Sequence, residues 1–466
     1  MAVQTRAGQN GLPVAKELTD PRWAWGAYDP DGKRPWNLAR AGHLYRRAAF
    51  GANWTQLQQA LSDGPQRSVD KLIRPEADVA AFNQLYDDHE TASGGSLDGL
   101  RAWWLRRMIQ TPHPLLEKMT LFWHSHFATN GAEVKDARLM RTHVQLLRTR
   151  ALESFRSLLD GVSRDPAMLT SLGADANRKA VPNDHFVRPL MEVFTVGAGR
   201  YTPEDVREAA RACTGWFVLR GRLRYIPREH DAGVKRVLGQ EGDFADQDVM
   251  RILLEQRATA ETVVRRLYRW LISEANPPAP ELIAPLVDAF AKDYDVSAVV
   301  ETMLRSNLFF SPVAYRRRVK SPVEYALGII RGLEGMVSTT QLAQDLAGLG
   351  QNLYCPPTVK GWLGGRHWIN SATLVRRHTL SLHLLRGEGP YSNKLNPWQA
   401  AEKHGCSELA SAAQFVLDLF LQGDLGPDVS EALRKMIPTA DIAGNAEAAA
   451  RRFAHAVTTQ PEFYLA

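Results

Sequence analysis

The chain has 466 residues, 44% of them hydrophobic and 23% charged, with a formal net charge of +6; this is the make-up of an ordinary folded protein and excludes collagen-like, low-complexity and largely disordered chains. Its basic residues are scattered, the densest runs being Arg316-Arg317-Arg318, Arg376-Arg377 and Arg451-Arg452, so no concentrated basic face speaks for nucleic acid. Three distant cysteines, Cys213, Cys355 and Cys406, suggest neither a disulfide framework nor a thiolate zinc site, and no apolar run approaches the roughly 20 residues of a membrane span.

Residues 1–35, rich in Gly, Pro and Asp, read as an irregular arm. Arg6, Lys16, Glu17 and Asp20 interrupt any apolar stretch of the kind a secretory leader needs, which makes the cytoplasm the default location. From Trp36 onward helical spacing takes over: Leu44 and Ala48, then Leu57, Ala60 and Leu61, then the segments 79–86, 97–109 and 114–128. Thr111-Pro112-His113-Pro114 opens the last of these, and Asn130-Gly131 is a suitable stop. Thr202-Pro203-Glu204-Asp205 combines a cap, a proline at the first helical position and a reciprocal acid, launching a helix to about Cys213.

Two short β-type runs, 216–219 and 222–226, flank Arg220-Gly221 and predict one small hairpin. Helical periodicity returns over 246–274, 280–294, 297–305, 322–333, 372–385, 408–421 and 445–457. Between 348 and 370 lies a loop of different character, with Gly350-Gln351-Asn352, Pro356-Pro357 and Lys360-Gly361-Trp362-Leu363-Gly364-Gly365. Such a loop is ordered only if its aromatics are buried, and it is expected to wall a pocket. The expected architecture is therefore mainly α: an irregular arm over 1–35 and one large multi-helix domain over 36–466, carrying the hairpin and the Gly/Pro/Trp-rich loop.

The run Leu121-Phe122-Trp123-His124-Ser125-His126-Phe127 is the strongest site signal, because two imidazoles among large apolar side chains are costly to bury without partners. On a regular helix they point about 200° apart, so a shared metal requires the helix to end or distort. Glu117, seven residues before His124, shares its face and is placed to orient that imidazole. The competing reading gives each histidine its own hydrogen-bond partner in a packed core. Arg188 and Glu192 have the i,i+4 spacing of an ion pair, and His230-Asp231 with Lys235 puts an imidazole, a carboxylate and an amine at the turn after the hairpin. No HExxH, GxSxG, Walker or dinucleotide fingerprint is present.

Several ordered stretches, His43-Leu44-Tyr45-Arg46-Arg47-Ala48-Ala49-Phe50-Gly51, the 117–129 run, 201–216, His230-Asp231-Ala232-Gly233-Val234-Lys235, Pro356-Pro357-Thr358-Val359-Lys360-Gly361-Trp362 and Pro461-Glu462-Phe463, together resemble the bacterial domain of unknown function 1800 family over nearly the whole chain. The resemblance implies no established activity, a second uncharacterised protein encoded nearby as a partner, frequent export, and a shared pocket of His124, His126, Glu192, His230 and Asp231. The family's middle motif, Asn-Glu-Asn-Phe/Tyr-Ala-Arg-Glu-Leu-Met-Glu-Leu, departs here to Asn183-Asp184-His185-Phe186-Val187-Arg188-Pro189-Leu190-Met191-Glu192-Val193. Pro189 removes a carboxylate and is expected to kink the helix; if the family is enzymatic and that glutamate essential, the resemblance implies either an inactive or altered member or one in which His185 compensates as a new ligand.

Two functional expectations result. In the first, a metal-dependent hydrolase-like protein holds one divalent ion with His124, His126, His230 and Asp231, while Glu192 acts as base or orients water and Arg188 or Lys235 stabilises negative charge. In the second, a non-catalytic helical partner or assembly protein uses the same groups as a buried structural network. Neither nucleic acid nor membrane is an expected partner, and export would depend on a signal-bearing partner.

Overall fold

The computed structural model describes residues 20–92, 95–387, 389–392, 394–436 and 446–466. Residues 1–19 of the expected arm, and the first residue of the expected 445–457 helix, lie outside the described residues. Helices account for nearly all regular structure, and their apolar faces meet in one core that runs from Ala24 to Phe463. Local sequence sets many of the boundaries. The Asn53 side chain accepts from Gln56 N–H in a capping box at the start of Trp54–Ile73, and Thr202 with Asp205 does the same for Pro203–Ala212, where Pro203 occupies the first turn as the spacing requires.

Four details depart from the sequence reading. Within the described part of the arm, Pro21–Trp25 is a short helix while 26–35 holds no helix or strand, and the Trp25 indole donates to the Leu282 carbonyl at 2.6 Å, an anchorage that periodicity cannot reveal. The 246–274 segment breaks at Gln256 into Asp246–Glu255 and Arg257–Leu271, because Gln256 adopts an extended conformation. Asn130-Gly131 starts a helix rather than ending one: Pro114–His126 stops before Phe127, and the Asn130 side chain caps Gly131–Val134. An asparagine carbonyl serves a donor-rich helix start as readily as a stop.

Besides the expected hairpin, Trp216–Leu219 paired with Arg222–Tyr225, a second joins Lys235–Val237 to Gln240–Gly242. Its strands of three residues are too short to show alternation. The distortion expected at Pro189 takes the form of a widened turn: Val187–Pro189 runs directly into a π-helical turn, Leu190–Phe194. Among the described residues no helix is long and apolar enough to cross a membrane.

Candidate functional site

Pro114–His126 runs through the core buried on nearly every face, and its two histidines leave it in different directions, as the helical 100° step dictates. His124 accepts a hydrogen bond at Nε2 from the backbone N–H of Tyr354, at 3.0 Å. Its ring packs among Trp104, Tyr354 and Trp362. Burial, and then nearby His143, push its pKa down to about 3, so it is a neutral acceptor. It fastens the 348–370 loop to the helix at Tyr354, where the backbone is left-handed with φ 64°.

Glu117 does not orient His124. It accepts from the Trp104 indole at 2.8 Å, from Arg107 Nε at 2.5 Å and from Arg148 Nε at 2.9 Å. Burial would raise its carboxyl, but Arg148 and Arg107 hold it below the usual range. This is a buried ion network centred on Glu117.

His126 faces the other side. Its Nδ1 lies 3.1 Å from Nη1 of Arg266 and its Nε2 lies 3.2 Å from the Phe194 carbonyl. A guanidinium only donates and a carbonyl only accepts, so the two partners fix the tautomer with the proton on Nε2. Burial, followed by the Arg266 charge, holds the His126 pKa well below its ordinary value.

Beyond His126 the motif helix, the helix Arg257–Leu271 and the 348–370 loop enclose a cleft of about 280 Å³. Arg266, Arg269, Arg318 and Lys360 make it basic, and Phe122, Trp270, Trp362 and Trp368 supply apolar walls. The loop therefore does wall a pocket, as its composition predicts. It reaches this position through close backbone approaches: Gly361, at φ 74°, lies directly against the Ser125 carbonyl, where a Cβ would overlap, and the Trp362 N–H donates to Ser125 Oγ at 3.2 Å. Glu274 also lines the cleft, accepting from the N–H groups of Gly365 at 3.1 Å and Val319 at 3.2 Å. Burial raises its pKa, against the pull of Arg318.

Cations continue behind the cleft. Arg318 stacks 4.7 Å from the Trp270 ring and pairs with Glu324, which also takes Lys118. Lys118 is lowered to about 7, first by burial and despite Glu324, with Arg318 adding to the shift. Lys320 lies well below its ordinary value through burial and then Arg46 and Arg316.

Arg266 is lowered to about 10 by burial and then by Arg269, and is still charged at neutral pH. Among the described residues no carboxylate lies within ion-pair distance of Arg266 or Arg269; Arg266 donates to His126, and Arg269 donates to the Leu363 carbonyl at 2.6 Å. At the mouth, Lys360 stands 3.3 Å from Glu192, which also accepts from the Tyr201 hydroxyl at 3.4 Å.

The remaining sequence candidates are held elsewhere. Arg188 pairs with Asp184 at 2.5 Å and not with Glu192, since the π-turn between them breaks the i,i+4 register. His230 Nδ1 lies 3.0 Å from the Thr214 carbonyl, Asp231 pairs with Arg211 at 2.8 Å, and Lys235 pairs with Asp243 at 2.9 Å. His185 Nδ1 lies 3.3 Å from the Gly173 carbonyl. The cleft thus receives His126 and, through Lys360, Glu192; it does not receive His124, His185, His230, Asp231, Arg188 or Lys235. Among the described residues no group of three or more His, Cys, Asp or Glu is placed to hold a metal. His126 is further unsuited to a cation, its free lone pair being occupied by a guanidinium.

The sequence model of the family described as protein of unknown function (DUF1800) matches residues 43–465. The chain belongs to the DUF1800 family. No curated protein and no solved structure gives a significant match. In this DUF1800 protein, sequence reasoning finds His126, Glu192 and the loop but misses Arg266, Arg269 and Trp270. They lie in Arg265-Arg266-Leu267-Tyr268-Arg269-Trp270, on a strongly amphipathic helix whose arginines read as a solvated face. The available signal is the spacing of Arg266 and Trp270, four apart and so on one side of the helix.

Proposed function

We propose that this DUF1800 protein binds a small anionic ligand in the cleft between His126 and the 348–370 loop, with Arg266 as its anchor. The observation that carries this reading is Arg266 itself, a half-buried guanidinium at the cleft whose hydrogen-bond partner is a neutral imidazole and which, among the described residues, has no carboxylate within ion-pair distance. A guanidinium partly withdrawn from water is stabilised by an anion placed against it. Arg269 on the same helix and Lys360 on the facing loop add positive charge to the cleft, and a planar guanidinium suits carboxylate or phosphoryl oxygens. The metal-dependent hydrolase-like reading gains no support from this geometry, because its ligand set is distributed over separate partners.

The test is titration calorimetry of the purified protein with inorganic phosphate, sulfate and acetate, beside Arg266→Met. Saturable binding of at least one anion, weakened roughly tenfold or more in the folded variant, is the expected result, a tenfold change being the scale of one charge-assisted hydrogen bond. Absence of binding by all three, or binding indifferent to Arg266, overturns the reading.

A further inference from the structure

The cleft holds more than a charged end. Its Arg266 and Arg269 lie on one side of a helix three residues apart, Phe122, Trp270, Trp362, Leu363 and Trp368 form its apolar walls, and the one carboxylate in the lining, Glu274, is taken up by the N–H groups of Gly365 and Val319. Trp270 is a fixed wall: the Arg318 guanidinium lies 4.7 Å from its ring centroid and the Phe122 ring 5.7 Å away. Trp362 is held by its N–H to Ser125 and by edge contact of its ring with His124 at 5.4 Å. Leu363 leaves 52% of its surface exposed at the edge of the same cleft. A free inorganic anion would satisfy Arg266 and leave these apolar surfaces wet.

Resting on the anion-binding reading above, we infer that the ligand is an aromatic anion: one planar ring carrying a phosphoryl or carboxylate group, the anionic head at Arg266 and Arg269 and the ring against Trp362, Trp368 and Leu363. The volume agrees. About 280 Å³ is at the small end of ligand clefts and suits a single-ring molecule. Indole faces favour ring partners in offset or edge-on contact, and the adjacent guanidiniums provide cation–π contact to the same ring.

The experiment follows tryptophan fluorescence and calorimetric heat on titration with phenyl phosphate, benzoate, inorganic phosphate, acetate and benzyl alcohol. Phenyl phosphate or benzoate is expected to bind about tenfold tighter than phosphate or acetate respectively, with benzyl alcohol much weaker than either aromatic anion. Trp362→Ala and Trp368→Ala are expected to lower aromatic-anion affinity more than inorganic-anion affinity, narrowing that ratio. If inorganic and aromatic anions bind equally, the ligand class fails and the anion site stands. If none binds, both fail; if benzyl alcohol binds as well as the aromatic anions, the charged head is refuted.

Discussion

Nη1 of Arg266 stands 3.1 Å from Nδ1 of His126, whose opposite nitrogen lies 3.2 Å from the Phe194 carbonyl. The imidazole is thereby a rigid spacer between the backbone of the π-turn and the guanidinium that faces the cleft. Under the proposed anion-binding function, His126 is a positioning residue.

His126→Ala is expected to weaken phosphate or aromatic-anion binding about tenfold and to lower stability by about 1–3 kcal/mol, through lost packing and an unsatisfied Phe194 carbonyl. His126→Gln, which keeps a donor and an acceptor, should recover part of the affinity. Calorimetry and urea unfolding measure the two effects. A loss of stability with affinity unchanged in both variants would reduce His126 to a packing residue.

Gly361→Ala is expected to impair binding without touching a charge. The added Cβ would meet the Ser125 carbonyl at a left-handed position, so the loop must lift from the motif helix and carry Lys360 and Trp362 with it. Gly350→Ala, also at positive φ but with open space around its Cβ, separates backbone strain from the close approach. Hydrogen exchange over 358–365 should rise in the first variant and stay near wild type in the second; the reverse order would contradict the role given to Gly361.

Much of the fold was legible because helices announce themselves by spacing and caps: Thr202 with Asp205, and the proline at 203, set a boundary that the structure reproduces. The Gly/Pro/Trp composition of 348–370 pointed to a pocket wall for a physical reason, since such a loop must bury its indoles to be ordered. The site was only half legible. His126 lines the cleft and Glu192 meets Lys360 at its mouth, but Arg266 looks in sequence like any arginine on a solvated helix face. His230 and Asp231 misled because adjacency at a turn says nothing of which neighbours bind them, and Thr214 and Arg211 do so first.

Glu192→Gln is expected to tighten anion binding two- to fivefold by releasing Lys360, whose side chain is 59% exposed and whose pairing is accordingly worth under about 1 kcal/mol. The stability of the fold should not change measurably. Weaker binding in this variant would place Glu192 among the groups that hold the ligand.

Acid should destabilise the protein before its carboxylates titrate. His43 and His126 have folded pKa values well below 6.5 and His124 about 3, in each case chiefly through burial. Unfolded imidazoles take up protons below about 6.5 while the folded ones do not, so the stability they contribute is present above that pH and is lost as pH falls. Between pH 6.5 and 4.5 each such group contributes a slope of up to about 1.4 kcal/mol per pH unit. Urea unfolding across this range should show uptake of two or more protons; a flat profile would contradict the buried neutral histidines.

Glu117→Gln should destabilise the fold by about 3–5 kcal/mol, since it leaves Arg107 and Arg148 buried without their carboxylate. Thermal unfolding checks the size of the loss, and a change below about 1 kcal/mol would contradict the role of Glu117 as the centre of that network.

The most direct measurement is the position of a heavy oxyanion. Crystals grown with tungstate, examined by anomalous scattering, are expected to show the metal-oxide density in the cleft with its oxygens about 3 Å from the Arg266 guanidinium, and no density there in Arg266→Met crystals. Tungstate bound elsewhere with the Arg266 cleft free of it, or persisting in the variant, would contradict the account.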